Sequence, residues 1–183
     1  GSGALSILDV KRGDIGSTMD AYADAYLREG APLAADAITL SPYLGFGSLK
    51  PAFDRAVAND RGVYVLARTS NPEGGRVQLA LAQEGSVVQE IIDAATEANR
   101  LLPTKAIGLV IGGTHADLGC DVSEFNGSIL VPGIGAQGGR LEDLPDLFGD
   151  AVRHVLPAVG RGVAGAGPAP DALRRRVAEL LAG

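Results

Sequence analysis

Several residue types are scarce in this sequence, and each scarcity excludes a class of protein. The 183 residues include a single cysteine, Cys120, so no disulfide can form within the chain and nothing indicates a disulfide-stabilised secreted domain. Tryptophan is absent and aromatic residues make up only 4%, so a core must be built from Ala, Val, Leu and Ile, as in a covered parallel sheet. No apolar run reaches the roughly 18–20 residues that a membrane-spanning helix needs.

Positive charge is also in deficit. Sixteen Lys and Arg residues stand against 22 Asp and Glu residues, which gives a net charge of −6. Nucleic-acid binding is therefore not expected, because neutralising phosphates requires a basic surface. The composition, 46% hydrophobic and 21% charged, is that of a globular protein rather than a disordered one. Without a signal-like charged-then-apolar segment, we expect a cytoplasmic protein that contacts no membrane.

Short apolar segments alternate with helical ones along most of the chain. This alternation predicts an α/β protein with a parallel sheet and right-handed crossovers. The predicted strands are Leu5–Val10, Ala37–Leu40, Val63–Ala67, Ile107–Ile111, Ile129–Val131 and Val155–Val159. The predicted helices are Thr18–Glu29, Ser48–Asn59, Gly75–Glu84, Val87–Leu101, Leu141–Phe148 and Asp171–Leu181, and no regular structure is assigned to Gly162–Pro170.

Polar or glycine-rich loops follow all six predicted strands. In a (β/α)8 TIM barrel the functional groups gather at the carboxyl ends of all strands, whereas an open doubly wound sheet concentrates them near one switch point. Six such loops favour the barrel. A complete barrel has eight units and usually about 200–250 residues. We therefore expect residues 1–183 to form a single (β/α) barrel domain with about six units present, incomplete at the N-terminal side.

The end of the first predicted strand carries the charged sequence Asp9-Val-Lys-Arg-Gly-Asp14. Side chains alternate along a strand, so Asp9 and Lys11 project to the same side, which at this end is the mouth of a barrel. Nearby negative charge stabilises an ammonium group, and Lys11 would then suit a general acid that protonates a carbanion. A solvated cluster of charges explains the same spacing equally well, and Asp14 follows in the loop.

A glycine-rich loop, Pro132–Gly139, follows the fifth predicted strand and contains a GxGxxG pattern. A dinucleotide fingerprint belongs to a first βα unit, and Pro132 interrupts the strand-to-turn junction, so we reject that interpretation. Exposed backbone N–H groups also suit a single phosphate, which barrels bind in the loops after their last two strands. Gly160 and Arg161 follow the last strand, and a guanidinium fork binds a phosphate dianion well. A glycine turn beside a surface arginine is the alternative.

Together these motifs resemble the orotidine 5′-phosphate decarboxylase family, in its bacterial, actinobacterial-type branch. The resemblance runs from residue 5 to about residue 163, and its motifs are LDVKRGDIGST, SPYLG, RTSNPEGG and PGIGAQGG. It implies a TIM barrel that decarboxylates orotidine 5′-monophosphate to uridine 5′-monophosphate, the last step of pyrimidine nucleotide synthesis, without a cofactor or a metal. In the family two further strands precede the first one here and supply a second lysine and an aspartate.

The resemblance also implies roles for individual residues. Lys11 matches the lysine that protonates C6 of the pyrimidine, and Asp9 matches the carboxylate that holds it. Asp14 matches a carboxylate that a homodimer lends to the partner's site, with Ile15 and Thr18 crossing the same interface. The other residues expected to bind the nucleotide are Ser70, Pro132, Gln137, Gly160 and Arg161.

Two alternatives stay open. One is a metal-dependent sugar-phosphate decarboxylase or aldolase of the same superfamily, which shares the DxKxxD spacing; Ser70 and Gln137 argue against it because they match pyrimidine recognition. The other is an inactive barrel fragment that still binds phosphate ligands.

Overall fold

The computed structural model describes residues 3–182, and its centre is one sheet of six parallel strands. The strands are β1 (Ile7–Arg12), β2 (Ala37–Leu40), β3 (Gly62–Arg68), β4 (Ile107–Ile111), β5 (Ile129–Val131) and β6 (Val155–Pro157). They lie side by side in chain order, each hydrogen-bonded to its neighbours in sequence. This singly wound order is that of a (β/α) barrel rather than of a doubly wound sheet, which confirms the predicted fold class.

Helices connect the strands and close the chain. They are α1 (Gly16–Leu27), α2 (Lys50–Ala58), α3 (Gly75–Gln78), α4 (Val87–Leu101), α5 (Leu144–Phe148), α6 (Arg161–Ala164) and α7 (Pro170–Ala182). Short 3-10 segments lie at Phe46–Leu49, Pro72–Gly74, Leu141–Asp143 and Gly149–His154.

The core consists mostly of aliphatic side chains, as the shortage of aromatic residues predicts, together with Phe53, Phe125 and Phe148. Every residue of β2 and β4 is buried, because helices cover a parallel sheet and leave its strands little contact with water. Helix α4 begins at the N-cap Ser86, whose hydroxyl accepts the N–H of Gln89. At its other end Asn99 bonds both backbone groups of Ile107, at 2.7 and 3.1 Å, which ties α4 to the start of β4.

Some predicted boundaries differ from the structure. Strand β1 runs two residues further than expected, to Arg12, and β6 ends at Pro157, which has no N–H to continue a ladder. Helix α1 begins at Gly16 and has no side-chain cap. Helix α3 stops at Gln78, short of the predicted Glu84, and α6 forms one turn that overlaps the start of Gly162–Pro170, to which no structure was assigned.

Candidate active site

A cavity of about 640 Å³ opens at the carboxyl ends of the strands. Five residues singled out from the sequence line it: Asp9, Lys11, Ser70, Pro132 and Gln137. The other lining residues are Ile7, Thr39, Leu66, Thr69, Asn71, Val110, Leu130 and Ala158. A cavity at this end of a parallel sheet is where barrels carry their active sites.

Asp9 and Lys11 form an ion pair at the end of β1. Lys11 adopts a left-handed backbone conformation with φ of 47°, and the pairing of β1 with β2 is irregular between Leu8 and Arg12. A strand irregularity of this kind re-aims side chains and is common beside active sites. Both side chains remain about half exposed, 61% for Asp9 and 53% for Lys11, so the pair can reach a bound ligand.

The Asp9 carboxylate has a second partner on the neighbouring strand. The hydroxyl of Thr39 donates to Asp9 Oδ1 at 2.8 Å. Partial burial favours a higher pKa for Asp9, but the hydrogen bonds from Lys11 and Thr39 and the charge of Lys11 outweigh it, so the pKa lies below its ordinary value. Asp9 is therefore a carboxylate at neutral pH. Sequence reasoning missed Thr39, although it is the one polar residue in the apolar run Ala37–Leu40.

The opposite side of the cavity is neutral and brings two loops together. Ser70, after β3, donates from Oγ to Oε1 of Gln137, after β5, at 3.1 Å. The Ser70 carbonyl accepts a hydrogen bond from Thr114 at 3.0 Å. Gly112 permits this approach, because a Cβ at that position would lie 2.6 Å from Ser70 Cα. The predicted hydroxyl and amide groups are thus adjacent, and both line the cavity.

The Pro132–Gly139 loop is a closed glycine turn. Its Gly139 N–H donates to Gly133 O at 3.1 Å, and its Gly135 N–H donates to Gly139 O at 2.7 Å. Gly133 has φ of 96°, and a Cβ there would lie 2.8 Å from Thr114 Cγ2, so both conformation and space require glycine. The turn presents the exposed side chain of Gln137 to the cavity.

Gly160 and Arg161 do not line this cavity. Arg161 is the first residue of α6, with Gly160 as its N-cap, and both are exposed. Within residues 3–182 the Arg161 guanidinium has no hydrogen bond or ion pair with another side chain. The two glycine-rich loops are neighbours, since a Cβ on Gly135 would lie 3.9 Å from Val159.

The three residues predicted to cross a dimer interface also lie outside the cavity. Asp14 Oδ1 accepts the N–H of Ile15 at 2.8 Å, a local turn before α1. Ile15 is 62% exposed, although it is a large apolar side chain, and Thr18 is exposed in the first turn of α1. One copy of the chain therefore does not bring Asp14 to Lys11.

Across residues 3–182, no three His, Cys, Asp or Glu side chains are grouped so that they could hold a metal ion. In the same part of the chain, no helix has the length and apolar character needed to cross a membrane.

Comparison with known proteins decides the family. The model described as "Orotidine 5'-phosphate decarboxylase / HUMPS family" matches residues 1–176. The chain belongs to this family.

The relatives within the orotidine 5′-phosphate decarboxylase / HUMPS family support the same assignment. An orotidine 5′-phosphate decarboxylase of Salinispora arenicola is 50% identical over 183 residues, which are 99% of this chain and 66% of the relative. One of Streptomyces coelicolor is 51% identical over 175 residues, 94% of this chain and 63% of the relative. A crystal structure from Streptomyces avermitilis, a candidate orotidine 5′-phosphate decarboxylase, is 49% identical with a TM-score of 0.91 over 97% of this chain and 63% of its own. The chain thus spans about two thirds of the length of these relatives.

Proposed function

We propose that the protein decarboxylates orotidine 5′-monophosphate to uridine 5′-monophosphate. The observation that carries this proposal is one cavity with an ion pair of Asp9 and Lys11 on one side and a Ser70–Gln137 pair on the other. The Asp9–Lys11 pair suits the formation and protonation of a carbanion, and the Ser70–Gln137 pair suits hydrogen bonding to a polar ring. Relatives about half identical to this chain bear the name of that enzyme.

Lys11 is the proton donor in this mechanism. The bond between C6 of the pyrimidine and its carboxylate breaks, the electron pair stays on C6, and carbon dioxide leaves. Lys11 Nζ then transfers a proton to C6, which completes uridine 5′-monophosphate. Asp9 holds the ammonium group in place and lies beside the departing carboxylate. A fixed charge in a site from which water is excluded stabilises the transition state more than the same charge does in water.

The remaining residues bind the parts of the nucleotide that do not react. Ser70 and Gln137 hydrogen-bond the edge of the base, and Pro132 shapes the loop that carries Gln137. Arg161 binds the phosphate with the Gly160 backbone beside it, since its guanidinium is exposed and forms no ion pair among the described residues. Binding energy from this remote group holds the base in its reactive position.

A homodimer completes the site in this proposal, and the protein works in the cytoplasm. Ile15, Tyr43 and Leu44 are large apolar side chains that are all more than half exposed. Such residues suit an interface between copies. Asp14 and Thr18, near Ile15, would then enter the partner's cavity, with Asp14 facing the partner's Lys11.

The family description carries two names, so membership alone does not choose between the pyrimidine and the sugar-phosphate reaction. The relatives at about 50% identity bear the first name, and the Ser70–Gln137 pair fits a base edge. The metal-dependent alternative is therefore not favoured.

A direct assay tests the function. Incubating the protein with orotidine 5′-monophosphate and following the loss of orotate absorbance should show turnover, and added chelator should leave the rate unchanged. Lys11→Ala should lower turnover by at least about 10²–10⁴-fold, the contribution of a general acid. Lys50→Ala, which removes an exposed lysine paired with Asp54 on α2, is the matched control and should keep the full rate. Absence of turnover in the unchanged protein would favour the inactive, phosphate-binding alternative.

Mixing inactive subunits tests the dimer. Lys11→Ala and Asp14→Asn each inactivate both sites of their own homodimer. In a mixed dimer one site regains Lys11 from one subunit and Asp14 from the other, because the interface is symmetric. Half the dimers in an equal mixture are mixed, so activity should return to about a quarter of the unchanged rate. Mixing without any recovery would show that Asp14 does not serve the partner's site.

A further inference from the structure

We infer that Thr39 is a positioning residue that fixes Asp9 and Lys11 relative to each other, an inference that rests on the function proposed above. Thr39 lies in β2 and is 1% exposed. Its hydroxyl contacts both residues at once. Oγ1 accepts the backbone N–H of Lys11 at 2.9 Å and donates to Asp9 Oδ1 at 2.8 Å.

The direction of these two bonds follows from the groups involved. A backbone N–H can only donate, so the hydroxyl must accept at Lys11. Its own hydrogen is then free to point at Asp9, a carboxylate that can only accept. Asp9 Oδ1 receives the Thr39 hydrogen while Oδ2 pairs with the Lys11 ammonium. Each carboxylate oxygen therefore has its own partner, and these two contacts restrict the rotation of the Asp9 carboxylate.

The same hydroxyl supports an uncommon backbone conformation. Lys11 has φ of 47°, a region that residues with a Cβ occupy rarely, and conformations of this kind persist where their surroundings hold them. The strand pairing skips from Leu8 to Arg12, so the Lys11 N–H lies outside the regular ladder between β1 and β2. Thr39 Oγ1 supplies the acceptor that the ladder does not.

The local electrostatics agree with this geometry. Among the described residues that line the cavity, Asp9 and Lys11 carry the charges, and Thr39 is the neutral group from β2 that bonds the carboxylate. Its hydrogen bond is one of the causes that keep the pKa of Asp9 below its ordinary value. Threonine suits the position because its branched side chain has few rotamers, so the hydroxyl stays aimed.

Replacement of the hydroxyl by a methyl group tests the inference. Thr39→Val keeps the shape and removes both bonds, and we expect kcat to fall about 10- to 100-fold while KM changes less than about 3-fold, as for loss of a hydrogen bond to a charged group. Thr39→Ser restores the hydroxyl and should recover at least about a third of the rate. Thr96→Val is the matched control. Thr96 is also buried, and its hydroxyl donates to Ile92 O within α4, away from the cavity, so this change should leave kcat unaltered.

Several outcomes would overturn the inference. These are a Thr39→Val enzyme with unchanged kcat, a Thr39→Ser enzyme as slow as Thr39→Val, or a loss that lies in KM alone. If Thr39→Val does not fold, Thr39→Cys replaces it, because cysteine is of similar size and its thiol is a weaker hydrogen-bond donor. We expect its kcat to lie below those of the unchanged protein and of Thr39→Ser and above the uncatalysed background. A kcat equal to that of the unchanged protein would overturn the inference.

A measurement that needs no turnover separates this inference from the proposed function. Carboxyl NMR of the unchanged protein and of Thr39→Val should show a higher pKa for Asp9 in the variant, because a hydrogen bond to the charged form is lost. An unmoved pKa contradicts the role of Thr39 even in an active enzyme. An inactive unchanged protein with a shifted pKa contradicts the proposed function and leaves the positioning intact.

Discussion

The two sides of the cavity are built in different ways. On the β1 side the working groups are charged and two residues apart, and one buried hydroxyl from the next strand holds both. On the opposite side the groups are neutral, and Ser70 and Gln137 are 67 positions apart in the chain. Glycine-lined loops and the hydrogen bond from the Thr114 hydroxyl to the Ser70 carbonyl bring them together. The charged pair therefore depends on strand geometry, whereas the neutral pair depends on how closely separate loops can pack.

After Lys11→Ala, the next largest effect is expected at a third position that belongs to neither side of the cavity, the exposed charge at Arg161. We expect Arg161→Ala to lower kcat/KM about 10- to 100-fold, since a charge-assisted bond to phosphate contributes more than a neutral one. Turnover should fall as well as affinity, because in the proposed mechanism phosphate binding holds the base in place. Steady-state kinetics check this result.

Arg174→Ala is the control for that change. Arg174 is an exposed arginine on α7 that pairs with Asp171, and its loss should have no kinetic effect. An Arg161→Ala effect confined to KM would contradict the coupling between the phosphate and the reacting carbon.

A smaller effect is expected on the neutral side. Gln137→Ala should raise KM about 2- to 10-fold with little change in kcat, as for loss of one or two uncharged hydrogen bonds. Calorimetry should show weaker binding of uridine 5′-monophosphate but unchanged binding of ribose 5-phosphate, which lacks the base. Gln83→Ala, at an exposed position outside the cavity, is the control. A fall in kcat as large as that of Thr39→Val would remove the distinction between the two sides.

The smallest effect concerns stability and pH. The pKa of Asp9 in the folded protein lies below its ordinary value of 3.8, so ionised Asp9 stabilises the fold above that value and the contribution disappears as pH falls through the folded pKa. Asp9→Asn should therefore lower the free energy of unfolding at pH 7, by less than about 1 kcal/mol because the side chain is largely exposed. The difference should shrink toward pH 3 in urea titrations. A difference that grows on acidification would contradict the ion pair as the cause.

Strand bounds could be predicted from the sequence where the strand is a short apolar segment. The bounds of β2, β4 and β5 agree with the structure, because short, mainly apolar runs rich in β-branched residues are typical of strands in a covered parallel sheet. The start of α1 was predicted two residues too late, at Thr18 instead of Gly16, and α6 was not predicted, since neither helix has a side-chain cap that marks its beginning. Their positions depend on how the preceding strands end.

Of the candidate site, too, the sequence predicted only a part. Alternation along a strand predicted that Asp9 and Lys11 share a side, and the structure pairs them. It did not predict the left-handed turn at Lys11 or the part of Thr39, because both depend on the register of β1 against β2. Asp14 and Arg161 stay predictions, as the cavity of a single chain contains neither.

By itself the sequence determined the order of strands and helices and the charged and glycine-rich loops that follow the strands, because hydrophobic periodicity and glycine content act over a few residues. The tertiary structure alone decided which loops meet, which hydroxyl joins the ion pair, and which side chains remain exposed. Those features depend on contacts between residues far apart in the chain. The distances between such residues are fixed only when the sheet forms and the register of its strands is set.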